Sequence, residues 1–329
     1  MNSCTDIRSG AVVGFPQERC EALRVKMHNL FPGSGLWRLE EGRSMASQRD
    51  MAGAMAVMRS NAASKMKQVN ALNAFELALA AMYVQEYDEM HDTFLRCVEL
   101  NDWSHALYYY LAGCAELEKY RDALHGRPSS SSSPLSVADK NEEKGQAKQS
   151  IDKKAAEIAK KKAEELLRKA PKVAGKKKFM GDTMPFEQFV LRKLARWEER
   201  ADALGISLAE AAGVCPSIEM IYLFNGCRKM RDVDLQGALA RLDWDRLTAP
   251  SDAARQGIRD EPDEQAARDI CAAALLRNLG RYAEAREKVQ GVLNMDRYAL
   301  SFSLFAFCFP VDRPTRSPDL TTSSDTHKD

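Results

Sequence analysis

The residues best suited to metal or redox chemistry are the histidines and cysteines, and their spacing does not form a recognisable site. None of the five histidines belongs to an H-E-x-x-H motif or to a Cys/His cluster at zinc spacing. The eight cysteines include no C-x-x-C pair, and most of them lie inside apolar runs. Such cysteines are typical of reduced, buried thiols. We therefore predict no metal site and no cofactor.

Motifs for nucleotide binding and for nucleophilic catalysis are also missing. The sequence contains no G-x-x-x-x-G-K-[ST], no strand followed by G-x-G-x-x-G, and no G-x-S-x-G. Glu164 and Glu165 lie at helical spacing from several lysines and arginines, which favours surface ion pairs over an acid/base pair. The sequence therefore indicates a protein that is not an enzyme.

A run of basic residues is the first candidate for binding. Between Asp152 and Lys178 there are eleven Lys or Arg and four Asp or Glu. Three interpretations are open: a solvated helix face, a contact with an acidic partner or an anionic lipid surface, and a nucleic-acid contact. The last is disfavoured because no aromatic residues interrupt the run. The candidate interaction residues in this run are Lys153, Lys160, Lys161, Lys176, Lys177 and Lys178.

An aromatic cluster is the second candidate. Trp103, Tyr108, Tyr109 and Tyr110 could line a ligand groove, or they could pack one helical repeat on the next. Packing is the more common role of such a cluster, with single tyrosines left facing solvent. We keep Tyr108 and Tyr109 as candidate surface residues.

The elements that would position these residues are helical hairpins. Three similar segments begin at Met51, Tyr87 and Tyr282, and each has a small or flexible apolar residue three positions on and a larger one seven positions on. This spacing places both on one helix face. A further helical run and a tight turn precede Tyr87 and Tyr282, and Met51 and Tyr87 are 36 positions apart. The pattern matches the tetratricopeptide repeat, so we predict an all-α fold of stacked antiparallel hairpins forming a superhelix.

Changes in composition divide the chain into five parts. A polar, serine-rich stretch separates two helical regions, and residues 248–264 have the polar, acidic composition of a loop. We expect a poorly ordered N-terminus (1–30), helical repeats (31–124), a flexible linker (125–150), further helical repeats (151–296) and a disordered tail (297–329) that does not resemble the rest of the chain.

Charge and hydropathy limit the location and the partners. The 48 basic and 47 acidic side chains nearly balance, which argues against a dedicated nucleic-acid-binding protein. The first twenty residues lack the apolar core of a signal peptide, and no apolar stretch reaches the roughly 18 residues of a spanning helix. We therefore expect a cytoplasmic protein, with the nucleus also open to it.

Three stretches carry a resemblance to a known family. They are Cys97–Gly113, with its Asn-Asp-Trp-Ser-His sequence, Ala163–Lys177, and Pro185–Leu194. They resemble the fungal inclusion body clearance proteins, relatives of the animal tetratricopeptide-repeat protein thirty-nine family. The resemblance covers residues 30–296 apart from the serine-rich linker. Family members are longer, and the chain resembles their C-terminal half, so we expect a truncated gene product with an unrelated end after residue 297.

The resemblance implies an adaptor of the cytoplasm and nucleus. Members of this family are linked to the clearance of misfolded-protein inclusions together with lipid-droplet proteins, and the family has no catalytic residues to transfer. We expect a protein-interaction scaffold that binds partners through its concave groove, with the basic helix as a second surface. The alternative is a lipid or sterol carrier. A large closed apolar cavity would favour the carrier, and an open polar groove would favour the scaffold.

Overall fold

A computed structural model describes residues 17–61, 66–128, 153–175, 178–179 and 182–295. The fold is all-α, as the sequence predicts. Two strands of two residues each, β1 (Lys178–Phe179) and β2 (Asp182–Thr183), pair antiparallel just before the helix that begins at Pro185. The helices are α1 (Gln17–Leu30), α2 (Gly35–Ser47), α3 (Met51–Ser60), α4 (Lys67–Val84), α5 (Tyr87–Leu100), α6 (His105–His125), α7 (Lys153–Val173), α8 (Pro185–Leu204), α9 (Leu208–Ala211), α10 (Pro216–Leu223), α11 (Asp232–Arg241), α12 (Asp252–Arg259), α13 (Pro262–Asn278) and α14 (Tyr282–Leu293). Two 3₁₀ turns, Gly226–Lys229 and Trp244–Arg246, flank α11.

The helices pair as antiparallel hairpins. Tight turns join α2–α3, α4–α5 and α13–α14, whereas α6 and α7 pack on each other although residues 126–152 separate them in sequence. Asp50 caps α3 by accepting a hydrogen bond from the Gly53 amide at 2.9 Å. Gln85 ends α4 with a left-handed φ of 62°, and Gly280 follows α13 with a φ of 77°. These residues let the chain reverse within a few positions, which is what makes the hairpins tight.

The repeated apolar positions form the contacts between consecutive hairpins. Met51 and Met58 of α3 and Tyr87 and Phe94 of α5 are all buried. The Phe94 ring stacks on the ring of Tyr108 in α6, the first helix of the next hairpin, with the ring centres 6.4 Å apart. One hairpin therefore supplies the face on which the next one packs, as the repeat pattern requires.

The last hairpin leaves the same positions uncovered. In α14, the counterparts of these residues are Tyr282, which is 70% exposed, and Val289, which is 44% exposed. Ala285, the small residue between them, is buried against α13. Ala285 thus packs inside the hairpin, whereas no element of the described part of the chain covers the outer face of α14.

A segment from later in the chain covers the first helices of the three N-terminal hairpins. We call residues 214–247 the return segment; it contains α10, α11 and both 3₁₀ turns. Its elements pack on α2, α4 and α6. The Gln85 side-chain amide donates to the Asp234 carbonyl at 2.7 Å, and the Phe224 ring lies 6.1 Å from the Phe75 ring. The chain itself therefore covers part of the surface of these three helices.

Gly226 fits the return segment closely against α4. A Cβ atom at this position would overlap the ring of Tyr83. We expect Gly226→Ala to lower the free energy of unfolding by about 1–3 kcal/mol, because the ring or the turn must shift to make room. Urea unfolding followed by circular dichroism would measure the loss.

Gly291→Ala in α14 is the matched control for this substitution. No heavy atom lies within 4 Å of the Cβ position at Gly291, and alanine favours the helix. We therefore expect it to leave stability unchanged or slightly increased. Equal stability of the two variants would show that the contact between Gly226 and Tyr83 is not tight.

Two helices lie where the sequence indicated irregular structure. Helix α1 falls inside the stretch expected to be poorly ordered, because its sequence has little apolar periodicity. Helix α12 falls inside the expected loop 248–264. The Ser251 hydroxyl caps it by accepting from the Ala254 amide, and only Ala254 and Ile258 are buried, so the pattern is too sparse to recognise. Most of the expected linker and the expected tail lie outside the described residues.

Candidate interaction surface and buried ion clusters

Helix α7 packs on α6 through a face of small residues. Leu167 lies against Gly113 of α6, where a Cβ atom would come within 2.9 Å of the leucine side chain. From the sequence alone, Gly113 indicates the close approach of a partner helix, which the structure confirms. The apolar spacing of α7 also predicts that Ala155 and Ile158 lie on its packed face, but the structure leaves both exposed. The residues that α7 buries are Ala156, Ala159, Ala163, Leu166, Leu167 and Ala170.

The opposite side of α7 is strongly basic, and we call it the α7 basic face. Its exposed cationic residues are Lys153, Lys154, Lys161, Lys162, Arg168, Lys169 and Lys172. Two of them have acidic neighbours: Lys161 lies 3.6 Å from Glu157, and Arg168 lies 3.1 Å from Glu164. Within the described residues, Lys153, Lys154, Lys162 and Lys172 take part in no salt bridge. The face therefore carries a surplus of positive charge.

Several predicted surface lysines are placed elsewhere or are not described. Lys160 is half-buried, and its ammonium nitrogen lies 2.7 Å from the Glu210 carboxylate. Burial opposes the charge of Lys160, but the hydrogen bond and charge of Glu210 outweigh it and raise the lysine's pKa. Lys160 is therefore part of an internal contact and not of the α7 basic face. Lys176 and Lys177 lie outside the described residues, as does the side chain of Lys178.

Tyr108 and Tyr109, the two candidate surface tyrosines, differ in their exposure. Tyr108 is buried, its ring stacks on Phe94, and its hydroxyl donates to the Asn101 side chain at 3.0 Å. Burial raises the pKa of Tyr108 to about 12. Tyr109 is half-buried, with the Lys169 ammonium 4.4 Å from its ring centre. Tyr108 is therefore a packing residue, and Tyr109 lies at the edge of the α7 basic face.

Trp103 is the exposed aromatic residue of this region, and sequence reasoning did not single it out as a surface residue. Its side chain is 53% exposed. The neighbouring Ser104 hydroxyl donates to one oxygen of Glu187, and the Gly175 amide donates to the other, each at 2.9 Å. Glu187 thus ties the loop that carries Trp103 to the C-terminal end of α7.

A buried ion cluster joins the return segment to α4 and α6. Its centre is Arg241, which is fully buried. The guanidinium donates to Asp122 at 2.7 and 2.9 Å, to Glu118 at 3.3 Å and to Gln85 at 2.9 Å. Its planar group also lies 4.8 Å from the ring centre of Tyr87. Every polar hydrogen that such a group presents needs a partner when buried, and here the cluster supplies most of them.

A second buried cluster links α8, α10 and α13. Lys193 lies 3.0 Å from Glu219, and Arg200 lies 2.9 Å from Glu264. Burial raises the pKa of Glu219. At Glu264, burial acts in the same direction, but the charges of Lys193 and Arg200 outweigh it and lower the pKa. Two carboxyls with opposite pKa shifts are typical of acid/base sites, but both of these are almost fully buried and ion-paired. A substrate therefore has no access to them.

The cavity that α3, α4 and α5 enclose is small and polar. Its volume is about 110 Å³, and its lining includes Arg59, Asn61, Asn70, Asn73 and Arg96. Pockets that hold drug-sized ligands measure about 300–1,000 Å³ and are mainly apolar. This cavity therefore does not provide the large apolar space that a sterol carrier needs.

The described residues contain no candidate metal site and no membrane-spanning helix. No group of three or more His, Cys, Asp or Glu side chains there is placed to hold a metal ion. No helix in that part of the chain is both long and apolar enough to cross a bilayer. Cys97, Cys114, Cys215, Cys227 and Cys271 are unbridged and buried, and Cys20 is exposed. Burial raises the pKa of Cys215 to about 12, which disfavours its thiolate.

Comparison with known proteins identifies one family. The profile of the Iml2/Tetratricopeptide repeat protein 39 family matches residues 2–279. The chain is 42% identical over 303 residues to the inclusion body clearance protein IML2 of Pyricularia oryzae, which covers 87% of this chain and 37% of that protein. The Aspergillus fumigatus protein of the same name is 39% identical over 88% of this chain and 36% of its own length.

A third relative with the same name is less similar to this chain. The inclusion body clearance protein IML2 of Yarrowia lipolytica is 31% identical over 82% of this chain and 34% of its own length. No solved structure matches the chain. The chain thus spans little more than a third of the length of these curated relatives, but the match covers most of the chain itself. The chain therefore belongs to the Iml2/tetratricopeptide repeat protein 39 family.

Proposed function

We propose that the chain is a non-catalytic protein-interaction scaffold that takes part in clearing misfolded-protein inclusions in cooperation with lipid-droplet proteins. Its relatives are named inclusion body clearance proteins, which supports the role. We place it in the cytoplasm, with the nucleus as a second location. The observation that carries the proposal is the α7 basic face, an exposed surface with several cations that no described carboxylate neutralises.

The interior of the protein supports a scaffold and not an enzyme. The two clusters of charged groups lie inside the fold, where their hydrogen bonds and ion pairs hold helices together. The return segment occupies the first helices of the three N-terminal hairpins. Outer helix faces are therefore the surfaces on which a partner can dock. Of these, the α7 basic face is the one with a chemical character that selects a partner, because it attracts a negatively charged surface.

Proximity labelling tests the proposed function. A biotin ligase fused to the full chain should label inclusion components and lipid-droplet proteins in fungal cells under folding stress. Lys153→Glu together with Lys161→Glu should reduce this labelling severalfold, because the two substitutions reverse charge on the α7 basic face. The measurement is the enrichment of labelled proteins by mass spectrometry.

The control variant carries the same change in net charge at other exposed positions. Lys67→Glu with Arg286→Glu alters α4 and α14, and neither residue lies on α7. This control should label as the unmodified chain does. If the unmodified chain labels neither inclusion nor droplet components, the proposed function is wrong. If both variants lose labelling equally, the α7 basic face is not the contact surface.

A further inference from the structure

We infer that the α7 basic face binds directly to the anionic headgroup layer of a phospholipid membrane, without a protein receptor. The inference rests on the proposed function in one respect only, namely that the α7 basic face is a contact surface. It adds the chemical class of the partner. Three observations carry it: the distribution of charge along α7, the exposed Ile158 within that charge, and the exposed Trp103 at one end of it.

The charge on α7 is spread along its length and is not gathered in a pocket. The helix carries eight Lys or Arg and three Glu over 21 residues, which corresponds to about 31 Å of helix. Lys154, Lys161, Lys162 and Lys172 recur at spacings that keep them within one side of the helix. A row of this kind presents its charges to a broad, flat surface. An acidic peptide would instead need a groove to fix its backbone.

Lysine dominates the exposed charge, and this favours a lipid headgroup layer over nucleic acid. Arg168 is the only arginine of α7, and Glu164 already binds it. The planar fork of arginine is suited to fixed phosphate geometry, whereas the ammonium of lysine is a mobile point charge. Anionic lipids attract such charges without needing a fixed geometry, and each Lys or Arg near the surface raises the affinity about fivefold.

Two exposed apolar side chains lie on or near α7. Ile158 is 48% exposed and lies on the same side of α7 as Lys154, Lys161 and Lys162. An apolar side chain among these lysines would add apolar contact to the electrostatic attraction of an anionic lipid surface. Trp103 lies near the C-terminal end of α7 through the contacts of Glu187. Tryptophan is enriched at membrane interfaces, where one side of the ring is apolar and the other is wet.

Vesicle binding with the purified full chain tests the inference. The probe is a vesicle of phosphatidylcholine that contains about 30% phosphatidylserine as its anionic lipid. A vesicle of pure phosphatidylcholine is the neutral comparison. We expect sedimentation with the anionic vesicle, little with the neutral one, and release at high salt because salt screens the attraction. Lys154→Glu with Lys162→Glu should weaken binding at least about 25-fold, since each lost lysine is worth roughly fivefold. Lys67→Glu with Arg286→Glu should bind within about twofold of the unmodified chain, because its charge changes lie outside α7.

Two further variants separate insertion from simple attraction. Ile158→Ser should weaken binding severalfold while the protein stays folded, because this side chain is already half exposed. The fluorescence of Trp103 should shift to the blue on anionic vesicles, and Trp103→Phe should remove the shift, because the other tryptophans are buried or half-buried. Equal binding to both vesicles, or no loss in the double lysine variant, would overturn the inference.

Failure of the lipid inference can be distinguished from failure of the proposed function by comparing vesicle binding with labelling in cells. If labelling in cells depends on Lys153 and Lys161 but the purified chain does not bind anionic vesicles, the partner of the α7 basic face is an acidic protein and the lipid inference is wrong. If vesicle binding follows the variants as expected but labelling recovers no inclusion components, the lipid contact is correct and the scaffold role is wrong.

Discussion

Replacing Arg241 with alanine is expected to lower the free energy of unfolding by about 3–5 kcal/mol, the usual result when one member of a buried ion cluster is removed. Arg241 is fully buried and is hydrogen-bonded to Glu118, Asp122 and Gln85. Without it, the equally buried Glu118 keeps only Arg121 as an ionic partner. The loss therefore reflects charge left without compensation more than the strength of the original contact. Urea unfolding followed by circular dichroism would measure it.

Two other variants test whether the loss of stability is specific to the buried ion cluster. Arg241→Lys keeps the positive charge but cannot bind Asp122 with two parallel hydrogen bonds, so an intermediate loss is expected. Arg281→Ala removes an arginine from an exposed pair with Glu284 and should leave the unfolding midpoint unchanged. If Arg241→Ala costs less than about 1 kcal/mol, the cluster is not a structural link between the return segment and the hairpins.

Replacing Phe94 with alanine is the second substitution expected to have a large effect. The side chain is fully buried and contacts the rings of Phe75 and Tyr108. Truncation of a buried phenylalanine typically costs about 3–5 kcal/mol, from lost transfer energy and from the cavity that remains. We expect a loss of that size in chemical denaturation.

Val289→Ala is the natural comparison, because Val289 occupies the same repeat position in α14. It is 44% exposed, and no following hairpin covers it in the described residues. We therefore expect a change below about 0.5 kcal/mol, as for other exposed positions. A large loss at Val289 would show that another element covers α14 in solution, and a small loss at Phe94 would show that the interface between hairpins is loosely packed.

Local signals in the sequence predicted the hairpins and some of their contacts. The spacing of Tyr87 and Phe94 identified the packed face of α5, and Gly113 correctly indicated a close helix contact. The orientation of α7 was less accurate. Alanines stand at both 155 and 156, so the apolar pattern fits two rotations of the helix, and only the contact with α6 decides between them. For the same reason Lys160 could not be separated from its exposed neighbours.

Contacts between residues far apart in sequence could not be predicted. Arg241 binds Glu118 across 123 positions, and Gln85 reaches Asp234 across 149. Nothing in the composition around Arg241 distinguishes it from the surface arginines, because burial of a charge depends on which helices meet there. The apolar pattern predicts short helices near Pro216–Met230 and Leu235–Leu242, but the position of the return segment on α2, α4 and α6 depends on the assembled fold.

The return segment also affects how this protein can fold while it is being synthesised. In a simple repeat array each hairpin can fold as soon as its neighbour exists, so assembly keeps pace with synthesis. Here the Tyr83 ring packs against Gly226, and a ribosome working at about 5–20 residues per second needs roughly 7–30 s to make the intervening residues. During that interval the N-terminal hairpins lack the cover that the return segment provides. The nascent chain therefore exposes, for seconds, apolar surface that is a typical target of chaperones.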